Sequence, residues 1–154
     1  MRRFLIGIVA SLTVSQATAA ATLYPVDADG LHLRAAPTTA APVLRVLPAG
    51  EGVPVIGVEG RWLQVRLPDG RPAWAAGWVA RVEFAPGEAE AVVTTDLLNV
   101  RAGPGLDHPV RTRVTTGARF PLLEIRGQWW RIRLPDGQEG WVFSDYVRAE
   151  LRPA

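Results

Sequence analysis

Two stretches of this chain, 67 residues apart, carry nearly the same instructions. Residues 33–74 laid on residues 100–141 without a gap are identical at 15 of 42 positions. The shared positions include Arg34/Arg101, Pro37/Pro104, Pro42/Pro109, Gly50/Gly117, Gly60/Gly127, Trp62/Trp129 and Trp74/Trp141. The string Arg66-Leu67-Pro68-Asp69-Gly70 recurs intact as Arg133-Leu134-Pro135-Asp136-Gly137. Gly and Pro set backbone turns and Trp sets packing volume, so a match in these residue types copies a fold rather than a composition. Solenoid repeats run about 20–50 residues. A longer period used twice describes two related small domains.

A delivery segment precedes them. Residues 1–19 hold Arg2-Arg3, an apolar stretch from Phe4 to Val14, and a polar end closing on Ala17-Thr18-Ala19. That order is the pattern of a cleaved secretory signal. A membrane anchor needs about 20 apolar residues, and Ser11, Thr13, Ser15 and Gln16 interrupt this run. Cleavage after Ala19 or after Ala21 fits equally, which assigns residues 1–21 to the signal. The chain contains no cysteine, so neither a cysteine-linked lipid nor a disulfide is available. The expected product is an exported protein of the periplasm or cell exterior, with no membrane anchor.

Export also changes the charge. The chain has 17 basic residues, all arginine, against 15 acidic ones; losing Arg2 and Arg3 leaves 15 of each. A nucleic-acid binder needs a basic face to displace counterions from phosphates. A neutral product does not suggest one.

Short runs of Val, Leu, Ile and Trp, broken by Gly, Pro and Asp-Gly, predict an all-β protein. Along residues 129–134, Trp130, Ile132 and Leu134 share one face while Trp129, Arg131 and Arg133 share the other. Leu63, Val65 and Leu67 alternate in the same way with Trp62, Gln64 and Arg66. Pro135-Asp136-Gly137 supplies a tight turn before a returning strand over 139–143, and another strand is expected over 119–126. The Gly- and Pro-rich segment 102–110 reads as a long loop. Five or six short strands per copy predict two small, strongly bent barrels. Six Trp, each able to bury roughly 150–250 Å², offset the lack of disulfides. The expected units are 22–82 and 91–148, joined by a short acidic linker over 83–90 and followed by a tail, 149–154. A linker this short implies a fairly fixed pair, with Phe84 tucked into one unit or the other.

The second copy opens with Leu98-Asn99-Val100-Arg101-Ala102-Gly103-Pro104-Gly105. It closes with Gly140-Trp141-Val142-Phe143-Ser144-Asp145-Tyr146-Val147. These two marks resemble those of the bacterial SH3-like (SH3b) domain family. The first copy departs from them, with His32 for Asn99, Ala36 for Gly103 and Thr38 for Gly105. Its end, Ala73-Trp74-Ala75-Ala76-Gly77-Trp78-Val79, aligns in two ways. The preferred one matches Trp74 to Trp141 and, after one deletion, Trp78 to Tyr146. The other matches Gly77-Trp78-Val79 to Gly140-Trp141-Val142. The resemblance implies two tandem SH3-like barrels used as cell-wall targeting or protein-binding modules.

No catalytic constellation is expected. A thiol nucleophile is excluded, the two histidines, His32 and His108, fall at unmatched positions, and neither has the neighbours a metal site requires. No cofactor is expected either. The candidate ligand-binding residues are aromatic and charged. Trp129 is pushed to the outer face among Arg131 and Arg133, to receive a peptide or sugar face, to carry a stacked arginine, or to close a barrel end or seal the interface between the copies. Trp62 is its partner in the first copy. By resemblance, Trp141 and Tyr146 lie near the SH3 peptide groove, with Arg101 and Asp107 as charged neighbours and Trp74 and Trp78 as counterparts. The favoured function is recognition of peptidoglycan, by stem peptide or glycan; the alternative is an adaptor binding another envelope protein.

Overall fold

The computed structural model describes residues 21–152. The export segment falls almost wholly in residues 1–20, outside the described residues. Among the described residues, fourteen strands fall into two sets of seven. The first set is β1 (Thr22–Pro25), β2 (Leu31–Arg34), β3 (Val43–Leu47), β4 (Val53–Glu59), β5 (Trp62–Arg66), β6 (Pro72–Ala76) and β7 (Ala80–Glu83). The second is β8 (Ala89–Val93), β9 (Leu98–Arg101), β10 (Val110–Val114), β11 (Arg119–Arg126), β12 (Trp129–Arg133), β13 (Glu139–Phe143) and β14 (Val147–Leu151). Single 3-10 turns, Gly77–Val79 and Ser144–Tyr146, precede the last strand of each set. No helix among the described residues is long and apolar enough to cross a membrane.

Local sequence explains the matching hairpins. Gly70 and Gly137 hold φ of 92° and 88°, a region where a side chain costs about 1–2 kcal/mol. Their N–H groups donate to the carbonyls of Leu67 and Leu134, at 2.8 and 2.9 Å. The preceding aspartates complete the turn, accepting from the backbone N–H of Arg71 and Gln138 at 3.0 and 2.9 Å. The repeated pentapeptide is thus one hydrogen-bonded turn made twice. The strands beside it alternate as their sequence requires, with Trp130, Ile132 and Leu134 buried, as are Leu63, Val65 and Leu67.

Each unit has seven strands rather than five or six, because four-residue strands such as β1 and β7 carry too few residues to show a period. The two sheets are also not separate closed barrels. They merge into one antiparallel path, β10-β9-β13-β12-β11-β7-β1-β4-β5-β6-β2-β3. The joint lies at β11, which pairs along its length within its own unit and also with β7 of the first. Its first part pairs with β8, and its last part pairs with both β12 and β7. An irregularity between Leu122 and Glu124 marks the change of partner. Leu23, Val82 and Ile125 form a row across β1, β7 and β11, with no more than 1% of any of them exposed.

Further contacts tie the joint. The Gly127 N–H donates to the Ala80 carbonyl at 2.9 Å, and the Phe84 N–H to the Leu123 carbonyl at 3.0 Å. Phe84 is buried in a core cluster that draws on both units. Only residues 84–88 lie between strands, since Glu83 closes β7 and Ala89 and Glu90 open β8. They form a compact turn in which the Glu88 carboxylate accepts from the Ala85 N–H at 2.6 Å. In the second unit, β8 and β14 pair from Val93↔Val147 to Ala89↔Leu151. β14 in turn packs beside β4. The last strand of each unit therefore lies against the fourth strand of the other, a roughly two-fold arrangement.

Candidate functional site

The end of the β12–β13 hairpin builds the open aromatic surface. Trp129 begins β12 and Phe143 ends β13, and the register sets them opposite one another. Their ring centres lie 5.4 Å apart in an edge-to-face arrangement. The chain then enters the 3-10 turn, where the Ser144 N–H is anchored on the Gln128 carbonyl at 2.8 Å. That turn brings Tyr146 over Phe143, with centres 5.9 Å apart. Tyr146 stays 47% exposed.

Facing these rings, β9 and the loop after it make the other wall. Leu98, Asn99 and Arg101 contribute from β9, and Leu97 and Leu106 stand at the rim. The groove measures about 280 Å³, near the lower end of small-ligand sites. Arg101 shapes its wall, donating to the carbonyls of Leu106 and His108 at 3.2 and 3.0 Å. Asn99 accepts from Arg113 Nε at 2.9 Å. Rings on one side and a guanidinium on the other suit an extended peptide or a sugar face with a carboxylate nearby.

The structure separates the predicted residues. Trp129, Tyr146 and Arg101 line this groove. Asp107 does not; its side chain is 90% exposed, with His108 Nε2 3.9 Å away. Trp141 lies on the same face of the hairpin but is buried and takes no part in the lining. The guanidinium groups of Arg126 and Arg131 cover its ring, 4.9 and 5.9 Å from the ring centre. Stacked arginine thus falls on Trp141, whereas the ring beside Trp129 is Phe143.

The cover over Trp141 is fixed from below. Glu124, only 2% exposed, accepts from Arg126 at 2.8 Å and from Arg131 at 3.2 Å. Arg131 continues to Glu139 at 2.7 Å, and Glu139 to Arg133 at 3.4 Å. Burial works against the charge of Arg131, but hydrogen bonding to Glu139 and the charges of Glu139 and Glu124 raise its pKa above the ordinary value.

A second groove, about 220 Å³, occupies the matching place in the first unit. Its Leu31, His32, Arg34, Thr39, Trp62 and Val79 stand 67 residues before Leu98, Asn99, Arg101, Leu106, Trp129 and Tyr146. The elements also correspond without a gap: β6 matches β13, and the turn Gly77–Val79 matches Ser144–Tyr146. Trp74 therefore does correspond to Trp141, but no deletion is needed. Val79, not Trp78, takes the place of Tyr146. Trp78 falls at the position of Asp145, and in space it does the work of Phe143. Its ring meets Trp62 edge-to-face at 5.3 Å, while Ala76 stands where Phe143 does. Trp74 does not line this groove.

Thr95, Leu97, Leu98, Asn99, Leu106 and Phe143 are the lining residues that sequence reasoning did not name for the site. Phe143 was open to it: Trp129 and Phe143 are the first and last residues of a hairpin, so pairing inward from the turn sets them face to face. Leu97 and Leu106 sit in irregular segments with no such guide.

A family match agrees with the two-unit organisation. The bacterial SH3 domain matches residues 29–81 and again 96–148. The chain belongs to the bacterial SH3 domain family, in two tandem copies. It is 43% identical over 63 residues to a putative N-acetylmuramoyl-L-alanine amidase, YrvJ, of Bacillus subtilis strain 168. That match covers 41% of this chain and 12% of the amidase. Among solved structures, NlpC2 from Trichomonas vaginalis is 14% identical with a TM-score of 0.37, covering 84% of this chain and 48% of that one. An NlpC/P60 family protein from Bacillus cereus ATCC 10987 is 17% identical with a TM-score of 0.34, covering 84% and 56%.

Proposed function

We propose that this protein is an exported, non-catalytic module that binds cell-wall peptidoglycan through the groove of its second unit. The observation that carries this reading is the open wall of Trp129, Phe143 and Tyr146 facing Arg101. It is a surface built to stack and to accept a charged end, and it lies in the copy that keeps the family's opening and closing sequences. Support also comes from the resemblance to bacterial SH3 domains, used in exported proteins as wall-targeting or protein-binding modules, and from the name of the putative amidase that shares one stretch of sequence. The apparent signal at the N-terminus accords with a place in the periplasm or cell exterior.

The test is co-sedimentation of the purified protein with insoluble peptidoglycan, beside Trp129→Ala and Tyr146→Ala variants checked for folding. Saturable binding that weakens about tenfold in each variant, or about 1.4 kcal/mol, supports the reading. Trp141→Ala is the wrong probe, because it removes a covered ring. Absence of binding at low salt overturns wall recognition. It would direct attention to an envelope protein held by the apolar rim, where Leu97 and Leu106 are 63% and 77% exposed.

A further inference from the structure

The groove of the first unit occupies the same place as the second but presents different chemistry. We propose that it is a binding site for an organic ammonium group, held between the Asp27 carboxylate and the rings of Trp62 and Trp78.

Three observations meet there. Both Trp rings line the groove, and the negative face of an indole attracts cations. The molecule already uses this property: the Arg61 guanidinium lies over Trp78, 4.7 Å from the ring centre, where Asp145 of the second unit holds it at 3.0 Å. Trp62 carries no such cover among the described residues. Asp27 lines the same groove, and the Val26 N–H, bonded to the Val79 carbonyl at 3.1 Å, brings its segment beside the turn that holds Trp78. Among the described residues its carboxylate forms no ion pair or hydrogen bond. The position of Asp27 is held by Thr94 in the second unit, where no carboxylate lines the groove.

The other charged groups favour the same occupant. Arg34 stands at the far end of β2, about 10 Å along the strand from Leu31. It is turned toward the following loop, donating to the Ala41 carbonyl at 2.9 Å and meeting His32 Nδ1 at 3.3 Å. A guanidinium only donates, so Nδ1 of His32 is the acceptor in this contact. The Arg61 charge over Trp78 is paired with Asp145. The aromatic end therefore keeps the Asp27 carboxylate as its unpaired charge among the described residues, and Arg34 supplies a cation at the other end. That polarity fits an amino-acid-like fragment whose ammonium lies toward Asp27 and whose carbonyl or carboxylate oxygen lies toward Arg34.

Titration of the ¹⁵N-labelled protein, followed through the indole N–H resonances, tests this directly. The probes are n-butylammonium, tetramethylammonium and the uncharged N-butylacetamide. Saturable movement of the Trp62 and Trp78 signals by an ammonium probe is expected, with Trp129 unmoved. Asp27→Asn, an exposed substitution that leaves the core intact, is expected to weaken n-butylammonium at least fivefold. Tighter binding of n-butylammonium assigns the site to a primary amine such as a peptide amino group; tighter binding of tetramethylammonium assigns it to a quaternary headgroup. No saturable movement with either cation, equal movement with N-butylacetamide, or indifference to Asp27→Asn overturns the proposal. The Trp129→Ala and Tyr146→Ala variants change only the other groove and Asp27→Asn only this one, so the two ideas stand or fall separately.

Discussion

Trp74 and Trp141 occupy the same place on the same strand of the two units, yet their surroundings have little in common. Trp141 lies beneath two arginines anchored by buried Glu124. Around Trp74 the positions of Glu124, Arg126 and Arg131 are held by Gly57, Glu59 and Gln64. The space over Gly57 belongs to Gln64, whose Oε1 would lie 3.0 Å from a Cβ placed there. The grooves diverge likewise: a Phe143–Tyr146 wall in one, a Trp78 wall with an acid at its edge in the other. What the comparison teaches is that backbone and core are conserved between the copies independently of the outer face. A core position must fill a fixed volume, while an outer position has only to satisfy the neighbours it happens to have.

The largest difference should appear on removing Glu124. Glu124→Ala leaves two guanidinium groups crowded over Trp141 without their common carboxylate. Arg126 is half-exposed and Arg131 keeps Glu139, so losing these charged hydrogen bonds is expected to cost about 2 kcal/mol. Gln64→Ala, in the matching neighbourhood of the first unit, is expected to cost less than about 1 kcal/mol. Denaturant unfolding of both variants measures the contrast; equal losses would mean that the charged network contributes nothing beyond packing.

A smaller difference is expected at the paired glycines. Gly60 and Gly127 both hold positive φ, 61° and 59°, so alanine costs about 1–2 kcal/mol at either. Only Gly127 faces a further obstacle, since its added Cβ would lie 3.3 Å from the Trp78 carbonyl across the joint. Gly127→Ala should therefore lower the unfolding midpoint more than Gly60→Ala. Reversal of that order would argue that the joint opens easily.

Arg61→Ala removes the ion pair to Asp145 and the cation over Trp78. Both partners of the pair are well exposed, so the expected loss is under about 1 kcal/mol. A larger loss would show that this contact, rather than the β7–β11 ladder, holds the units together.

Acid should probe the second unit through its terminal strands. Hydrogen bonds from Arg119 and Arg148 hold the Glu150 carboxyl well down, at about 2, from its ordinary 4.5. A carboxyl whose pKa is depressed by folding stabilises the protein above about pH 4.5, and that contribution is lost as the pH falls toward 2. Glu150→Gln should flatten this part of the stability profile while changing little in its shape above pH 5 or so. The same acid limb in the variant as in the parent protein would remove Glu150 from the account. The effect is the smallest of the four, since water screens these exposed groups.

Much of the fold was legible because neighbouring residues decide it. The strands Arg119–Arg126 and Glu139–Phe143, the alternation around Ile132 and the Pro-Asp-Gly turns all follow from short-range pattern. The site was less so. Alternation placed Trp129 on the outer face, but it carries no information on what lies over that face. Glu124 and Arg126 reach Trp141 from β11, and the Phe143 partner of Trp129 comes from the opposite end of the hairpin. The gapless correspondence of Val79 with Tyr146 was likewise hidden, because an aromatic at Trp78 invites a match to the nearest aromatic in the other copy.

By itself, then, the sequence determined that the chain is a duplicated all-β protein of the bacterial SH3 type, with its turns and buried faces. Those depend on residue spacing, on glycine's access to positive φ and on the exclusion of apolar side chains from water. The tertiary structure alone decided that the two sheets run together through β7 and β11, and which tryptophans remain open to a ligand. Both outcomes depend on strands far apart in the chain, whose approach is set by three-dimensional packing and leaves no periodic mark in the sequence.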